Sequence, residues 1–430
     1  MRLPGLERRE WCAWAFYDWA QSAAITVIGT AVFPVYFAQI VATAHPPVER
    51  TQLLALANGI ALVVVAALAP VLGAVVDARP WKKRFLAGAL GLGVIGCVAL
   101  AHVAPGRVAW ALAAFVLVMV GATGSFVFYE ALLPHLAQGP DLDRVSGAGY
   151  ALGYIGGGLL LAGDLLLLAR PEWFGLAREP GLPIRLVFLS VAVWWLVFSV
   201  PLWRRVPEPQ AAPVPGAAPI ATAWRRVRAT AREIRRYPMA FLFLLAFFLY
   251  NDGIQTIIRL ATAYGSELGL GRDALVGAVL LVQFVGVPFA FAFGSLGARW
   301  GPKRGILLAL AVYVVVTAWG YRLRTATDFF VLAFLVATVQ GGAQALSRSL
   351  FARLIPAERS GEFFGFYGVM EKFAGLLGPF LFAAAIELTG SSRRAILALV
   401  VLFAAGGLLL ARVDVAAGAR QAGHAEPSGR

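Results

Sequence analysis

The sequence is poor in the residues that form metal centres and disulfide frameworks. Its 430 residues include two cysteines and four histidines, and the histidines are scattered without ligand-like spacing. We therefore expect no disulfide framework, no metal site and no cofactor. A phosphate-binding G-x-x-x-x-G-K-[ST] stretch is also missing, which argues against ATP as the energy source. A clustered nucleophile and base is missing too, so the chain is not expected to be an enzyme.

Charged residues are scarce as well, at 14% of the chain, whereas 60% of the residues are hydrophobic. This composition excludes an ordinary soluble globular protein. Apolar stretches of about 20 residues, separated by short polar segments, are typical of membrane-spanning helices. Because the stretches are continuously apolar rather than alternating, they do not fit barrel strands. The sequence thus predicts an all-α membrane protein with twelve spans, near residues 12–37, 53–76, 85–104, 108–133, 146–168, 185–203, 238–262, 273–297, 305–321, 328–349, 362–387 and 395–412.

The distribution of Lys and Arg predicts the orientation of these spans. The N-terminal segment, the loops on the same side and the C-terminal tail carry 24 of the 37 cationic residues, and the opposite loops carry 10. Cytoplasmic loops are enriched in Lys and Arg, so both termini are predicted to be cytoplasmic, in the inner (plasma) membrane of a bacterium. Nucleic-acid binding is the alternative explanation for a net charge of +14, but no soluble domain carries the basic residues.

A Pro- and Ala-rich stretch, VPEPQAAPVPGAAPIATA (206–223), divides the chain into two sets of six predicted spans. The following segment, WRRVRATAREIRRYP (224–238), separates arginines from apolar residues at helical spacing. It is predicted to be an amphipathic helix on the anionic leaflet, or else a solvated basic loop that fixes topology. The predicted organisation is a bundle over 1–203, a cytoplasmic linker over 204–237, a second bundle over 238–412 and a disordered tail over 413–430.

Internal echoes support two related halves. FYDWAQS (16–22) resembles LYNDGIQT (249–256), and EALLPHLA (130–137) resembles RSLFARLI (348–355). PVLGAVVDARPWKKR (70–84) resembles FAFGSLGARWGPKRG (291–305), an alignment that matches Lys82 with Lys303. Two repeated six-helix halves joined by a linker are the layout of a secondary transporter, in which one half rocks against the other.

Longer motifs carry a resemblance to a known family. The loop after the second span reads G-x-x-x-D-x-x-x-x-K-K-R, and a weaker copy after the eighth span has Ala298 in place of the acid. This loop resembles the signature of the major facilitator superfamily. Over residues 11–412 the chain also resembles one branch of that superfamily, the vacuolar amino-acid effluxers and their bacterial relatives. The motifs that carry this resemblance are YDWAQSA (17–23), SGAGYALGYIGG (146–157), FFLYNDGIQT (247–256), GGAQALSRSLFARLIP (341–356) and EFFGFYGV (362–369). Gln21 and Glu130 depart from that pattern, which has an asparagine and an amide there.

The resemblance implies the major facilitator fold, two pseudo-symmetric six-helix bundles in which the first and fourth helices of each half line the central cavity. A charged side chain within a membrane span costs at least ~2.5–3.5 kcal/mol, which favours a watery path or a charged partner. For Gln283, Gln340 and Gln344 the alternative is an interhelical hydrogen bond, and for Arg259 it is snorkelling to the membrane surface. The predicted pathway or coupling residues are Tyr17, Asp18, Gln21, Asn251, Asp252, Gln255, Arg259, Gln340 and Gln344.

A second set of residues is predicted to gate the cavity. Asp77, near a helix end, is expected to pair with a loop cation or an opposing helix terminus; its alternative role is topology alone. Arg348 follows Glu130 by 218 positions, which makes the two pseudo-symmetric. We expect Asp18 or Glu130 to hold Arg348 when the cytoplasmic side is closed, the alternative being a permanent ion pair. The predicted gating residues are Asp77, Lys82, Lys83, Arg84, Glu130 and Arg348.

Adjacent residues on a helix point about 100° apart. Glu371 and Lys372 are therefore expected to pair with other helices rather than with each other.

The sequence thus predicts a secondary active transporter that moves a small polar solute, such as an amino acid, by alternating access. Coupling to protons is favoured by the carboxylates at membrane depth. The glycines of SGAGYALGYIGGG (146–158) resemble an antiporter signature, which implies export, but close helix packing is the favoured explanation for them. The alternatives are a permease for sugars, drugs or other organic ions, and a non-transporting scaffold or receptor. The expected partners are the solute, protons and membrane lipid, without nucleic acid, and the chain is expected to be a monomer.

Overall fold

In the computed structural model, the described residues are 3–176, 181–210, 236–267, 269–375 and 377–423. Most of the predicted linker, including nearly all of the predicted amphipathic helix at 224–238, lies outside these ranges. The described residues contain helices and no strand, and twelve of the helices are long and apolar enough to cross a membrane. The predicted all-α class with twelve spans is therefore confirmed. The spans are α1 (Arg9–Val41), α2 (Glu49–Asp77), α3 (Lys82–Ala101), α4 (Val108–Leu136), α5 (Pro140–Ala169), α6 (Leu182–Arg205), α7 (Pro238–Ala261), α8 (Gly277–Trp300), α9 (Pro302–Gly320), α10 (Ala326–Leu354), α11 (Ala357–Thr389) and α12 (Ser392–Ala411).

Equivalent helices of the two halves pack in the same way. In the first half, α1 packs on α5 and α6, α4 packs on α2 and α3, and α3 packs on α6. In the second half, α7 packs on α11 and α12, α10 packs on α8 and α9, and α9 packs on α12. Across the halves, α2 packs on α11 and α5 packs on α8. This matched set of neighbours is the pseudo-symmetry that the internal echoes predict.

Several of the described spans, among them α1 and α11, are not regular α-helices. Within α1, the segments Ala24–Ala31 and Phe37–Val41 are π-helical, and they follow the part of the helix that carries Asp18. Within α11, the segment Ser360–Phe373 ends at Ala374, whose backbone is extended, and a second segment, Leu377–Thr389, follows. Gly375 lies between them with a φ of 89°, a left-handed conformation that glycine adopts without strain.

The halves meet at the face of the bundle where α1 begins and α2, α4, α8, α10 and α12 end, which we call the terminal face. Gly73 of α2 lies so close to Gly361 of α11 that an added Cβ would be 2.2 Å from the Gly361 carbonyl oxygen. Gly147 of α5 and Gly294 of α8 meet similarly, with an added Cβ on Gly147 at 2.9 Å from the Gly294 Cα. Backbone therefore contacts backbone along both seams, and the bundle is closed at this face.

The chain beyond α12 differs from the predicted disordered tail. A short helix, α13 (Val415–Gln421), forms there, and the Asp414 side chain caps it by accepting a 2.9 Å hydrogen bond from the Ala417 amide. Gly418 packs closely on Leu354 at the end of α10 and on Met239 of α7. The N-cap and the apolar contact stabilise this segment, and sequence composition alone does not predict either contact. Residues 424–430 lie outside the described ranges.

Candidate functional site: a buried charge cluster and two seams

Arg348 of α10 lies at the centre of the candidate site. Its side chain is fully buried, and its Nη1 lies 3.3 Å from Asp18 Oδ2 on α1 and 4.0 Å from Glu130 Oε1 on α4. Its Nε donates to Ser146 Oγ and its Nη2 to the Ser146 carbonyl oxygen on α5, both at 2.9 Å. One guanidinium of the second half thus contacts three helices of the first half. The structure brings together Asp18, Glu130 and Arg348, as the sequence predicted.

Aromatic rings surround this cluster. The Arg348 guanidinium lies 4.8 Å from the Trp14 ring centroid and 4.5 Å from that of Tyr150. The Tyr129 hydroxyl donates to Asp18 Oδ2 at 3.2 Å, and the Tyr129 ring stacks on Trp14 with centroids 4.3 Å apart. Cation–π contacts and a buried hydrogen bond offset part of the desolvation cost of the charges. Trp14, Tyr129 and Tyr150 are not among the predicted site residues, because the sequence does not show which of its rings face a charge.

Glycines of α5 make room for the carboxylate. An added Cβ on Gly149 would lie 3.0 Å from both Asp18 Oδ2 and Arg348 Nη2, and one on Gly153 would lie 3.0 Å from Asp18 Oδ1. Small residues allow helices to approach closely in a membrane. The glycine-rich stretch SGAGYALGYIGG therefore positions α5 against Asp18 as well as against the rest of α1.

Glu130 is the least satisfied member of the cluster. Its side chain is buried, and its Oε1 has no hydrogen-bond partner among the described residues. The charges that act on it are those of Glu371 and Lys372 on α11 together with Arg348 and Asp18. The expectation that Glu371 and Lys372 avoid each other is wrong, since Lys372 Nζ donates to Glu371 Oε1 at 2.9 Å. Both side chains are long enough to converge although their Cα–Cβ bonds diverge.

Asp77 closes the seam between α2 and α11. Its Oδ1 accepts from Lys82 Nζ at 2.6 Å and from the Gly361 amide at 2.9 Å, while its Oδ2 accepts from the Glu362 amide at 2.8 Å. These amides belong to the first turn of the helix Ser360–Phe373, whose partial positive charge favours a carboxylate. A loop cation and an opposing helix terminus therefore both contact Asp77.

The remaining cations of this loop do not contact Asp77. Lys83 Nζ donates to the Trp203 and Val206 carbonyl oxygens at the end of α6, at 2.9 and 2.8 Å. Arg84 is exposed, with its guanidinium 6.0 Å from the Trp81 ring centroid. Of the four predicted gating residues in this loop, only Asp77 and Lys82 form the seam contact.

The loop after α8, which is the counterpart of the Asp77 loop, makes different contacts. Lys303 Nζ donates to the Ala411 and Val413 carbonyl oxygens at the end of α12, at 2.7 and 2.8 Å. This is the role of Lys83, so the contacts correct the sequence alignment that matched Lys303 with Lys82. With Ala298 in place of the acid, the seam carboxylate comes instead from Asp143 of α5, which accepts from Ser349 Oγ at 2.5 Å and contacts Arg353.

The predicted pathway residues of α7 lie apart from the Arg348 cluster. Asp252 accepts hydrogen bonds from the Gly375, Leu377 and Gly378 amides at the break in α11. Arg259 Nη1 donates to the Gly375 carbonyl oxygen at 3.1 Å, and Gln255 packs beside the same glycine. Asn251 is buried, and its Nδ2 has no partner among the described residues. Asp252 and Arg259 thus clamp the break rather than meet Asp18.

The other predicted residues lie near the cluster. The Tyr17 ring packs on Tyr129 with centroids 5.1 Å apart, and Gln21 Nε2 donates to the Ala122 carbonyl oxygen at 3.2 Å. Gln340 lies beside the Tyr154 hydroxyl. Gln344, four residues on, is half-buried.

Comparison with known proteins identifies the family. Residues 44–423 match the family described as vacuole effluxer Atg22 like. The chain is 35% identical over 411 residues to the uncharacterized MFS-type transporter YxiO of Bacillus subtilis, covering 93% of this chain and 94% of that protein. It is 28% identical over 301 residues to autophagy-related protein 22 of Coccidioides immitis. That match covers 63% of this chain and 49% of the fungal protein, so the chain spans about half the length of this relative.

Solved structures share the fold at low sequence identity. The human organic anion transporter MFSD10 (TETRAN) superposes with a TM-score of 0.71 at 18% identity, covering 94% of this chain and 99% of that chain. FucP, a major facilitator superfamily transporter in the outward conformation, superposes with a TM-score of 0.74 at 12% identity, covering 95% and 100%. The chain therefore belongs to the Atg22-like vacuole effluxer family and is a major facilitator superfamily transporter, not an enzyme.

Proposed function

We propose that this transporter moves a small polar solute, such as an amino acid, by alternating access, in exchange for or together with protons. The observation that carries the proposal is the position of Arg348. A buried guanidinium of the second half is held by Asp18 and Ser146 of the first half, next to an unsatisfied Glu130 oxygen. A charge that bridges the moving halves makes their separation depend on the charge state of its partners.

The proposed cycle begins in the conformation that is closed at the terminal face. Protonation of Asp18 or Glu130, or arrival of a solute ammonium group at Glu130, weakens the hold on Arg348. The halves then separate at this face, and the solute exchanges with that side. Breaking a buried charge pair typically costs ~3–5 kcal/mol, while a shift from 1:99 to 99:1 between two states needs about 5.5 kcal/mol. The cluster can therefore supply much of the energy difference between the two conformations.

An amino acid fits the chemistry around the cluster. Its ammonium group suits the buried carboxylates and the Tyr150 ring, and its carboxylate suits Lys372. The family's description as an effluxer supports export. We further propose that both termini are cytoplasmic, that the chain lies in a bacterial plasma membrane and that it works as a monomer. A permease for sugars, drugs or other organic ions is the alternative that the experiment must separate.

Transport in reconstituted vesicles tests the proposal. Purified protein is placed in liposomes, and counterflow of labelled amino acids, sugars and organic anions is measured with and without a pH gradient. We expect amino-acid counterflow and a response to the gradient, both lost in Arg348→Gln. The partly exposed Arg144, whose i,i+3 contact with Asp141 is at 3.4 Å, supplies the control Arg144→Gln, which should behave as wild type. Transport of sugars or anions alone, or transport indifferent to pH, would contradict the proposal.

A further inference from the structure

A basic pocket lies at the terminal face of the second half, apart from the Arg348 cluster. It has a volume of about 660 Å³ and is lined by the α8–α9 turn, the ends of α10 and α12 and the start of α13. Its lining includes the cations Lys303, Arg304, Arg353 and Arg412 and one acid, Asp414. The pocket therefore carries an excess of positive charge that the proposed transport cycle does not use.

Two of these cations already have partners within the protein. Lys303 Nζ donates to the carbonyl oxygens at the end of α12, and Arg353 contacts Asp143. Arg304 and Arg412 are exposed, and neither forms a hydrogen bond or an ion pair through its side chain with a described residue. Two guanidinium groups that flank one pocket are thus available to an external anion. Guanidinium groups bind phosphate oxygens in bidentate geometry.

Both arginines continue surfaces that face the lipid. On α9, Arg304 is followed at helical spacing by Leu308 and Val315, whose side chains are 46% and 53% exposed. On α12, Arg412 is preceded by Leu408, which is 67% exposed. The two helices pack together, since an added Cβ on Gly407 would lie 3.7 Å from the Leu310 side chain. The apolar stripes of adjacent spans therefore run side by side and end at the same pair of arginines.

We propose that this pocket binds the headgroup phosphate of an anionic phospholipid, with its acyl chains along the stripes of Leu308 and Leu408. A soluble phosphate would use the arginines but not the apolar stripes below them, and a zwitterionic lipid would bring a compensating cation into a basic pocket. Trp300 lines the same pocket and is 59% exposed, the position that tryptophan favours at a membrane interface. Basic pockets between spans on the cytoplasmic side suit anionic headgroups.

Native mass spectrometry of the delipidated, full-length protein tests this proposal. The protein is titrated with phosphatidylglycerol or phosphatidylcholine, and retained lipid is counted after mild activation. We expect one phosphatidylglycerol to be retained preferentially. The double variant Arg304→Gln, Arg412→Gln should weaken its binding at least about tenfold, since each cation near an anionic lipid contributes appreciably. Replacement of both arginines by lysine should restore part of the binding.

The first half supplies a matched control. Arg84 lies in the first turn of α3 and Arg205 ends α6, and these helices pack together as α9 and α12 do. The double variant Arg84→Gln, Arg205→Gln removes the same charge and should leave retention of the preferred lipid unchanged. Equal weakening by both double variants, equal retention of the two lipids, or displacement of phosphatidylglycerol by millimolar inorganic phosphate would overturn the proposal. An unchanged size-exclusion profile shows that each variant is folded.

Discussion

Arg348 and Asp18 are 330 positions apart in the chain, yet their Nη1 and Oδ2 atoms lie 3.3 Å apart in the interior. The first residue belongs to α10 and the second to α1, so the pair joins the two halves. Because neither side chain reaches solvent in this conformation, the pair must be broken or hydrated whenever the halves separate. The contact is therefore made only while the terminal face is closed, and the charges of the two side chains affect how readily that face opens.

Neutralising the carboxylates of this cluster is the first prediction. In Asp18→Asn, Arg348 loses its charged partner, so we expect the population closed at the terminal face to fall at least about tenfold, for a loss of ~1.4 kcal/mol or more. Glu130→Gln should leave the Asp18 contact in place but flatten the pH dependence of transport, because its unsatisfied oxygen no longer takes up a proton. Counterflow measured between pH 5 and 8 checks both.

A permanently structural ion pair would behave differently. It would lower the amount of folded protein in Asp18→Asn and leave the pH profile of the remainder unaltered. Thermal unfolding followed by light scattering, measured on the same preparations, separates loss of fold from loss of coupling.

The Asp77 contact gives a second prediction. In Asp77→Asn, the side chain keeps its shape but loses the charge that attracts Lys82 and the first turn of the segment Ser360–Phe373. Hydrogen bonds to charged groups are worth about 1.5–3 kcal/mol, so we expect the seam between α2 and α11 to open more often and turnover to fall. Ser360 is buried next to Gly361, and its hydroxyl donates to the Ala131 carbonyl oxygen at the end of α4. Accessibility of a cysteine at this position to N-ethylmaleimide measures the opening. Equal labelling in the variant and its parent, with unchanged turnover, would assign Asp77 to topology alone.

Closing of the same seam also depends on the glycine at position 73, which has no side chain. In Gly73→Ala, the added methyl group would lie 2.2 Å from the Gly361 carbonyl oxygen, so α2 and α11 could not approach as closely. We expect a shift toward the conformation that is open at the terminal face, seen as increased labelling of the Ser360→Cys probe. Gly88→Ala is the control, because an added Cβ there meets nothing within 4 Å. If the two variants label alike, close approach at Gly73 does not hold the seam.

A fourth prediction concerns the break in α11. Asp252 accepts three backbone hydrogen bonds there, so Asp252→Asn should loosen the break and speed hydrogen exchange at Gly375 and Gly378 at least about tenfold. Asp164→Asn in α5 alters another buried carboxylate, bonded to Ser190 at 2.9 Å, and should leave exchange at the break unchanged. Uniformly faster exchange in both variants would indicate general destabilisation instead.

Orientation in the membrane is the fifth prediction. Ala104 in the α3–α4 turn and Gln210 after α6 are both exposed and lie at opposite ends of the helices. Single cysteines at these positions, in a background without Cys12 and Cys97, should react with an impermeant maleimide from opposite sides of the membrane. We expect Ala104→Cys to react in intact cells and Gln210→Cys only after permeabilisation. The reverse result would invert the proposed orientation.

Much of the fold could be predicted from the sequence because lipid imposes a simple rule on it. A backbone without water must bond internally, so every long apolar stretch becomes a helix and its position can be read directly. The pairing of Arg348 with Asp18 and Glu130 was also predictable. A charge at membrane depth requires a partner, and the repeat offset placed candidates at matching heights in the two halves.

Other features depend on contacts that leave little trace in the sequence. The break in α11 depends on one glycine conformation and on a carboxylate from α7, and glycines are frequent in membrane helices for other reasons. The exchange of Lys82 for Lys83 as the counterpart of Lys303 is a shift of one residue within a turn. Asp143 replaces the acid missing at Ala298 from a different helix, which no local motif signals.

The four contacts of the Arg348 side chain imply that opening is cooperative. The guanidinium is shared by α1, α4 and α5, so no one of these helices can leave it without exposing the charge to the interior. If one helix moved away alone, the Arg348 guanidinium would lose a partner and gain little water in its place. The three helices are thus expected to move together. Partly opened intermediates that leak solute past the cluster should therefore be rare.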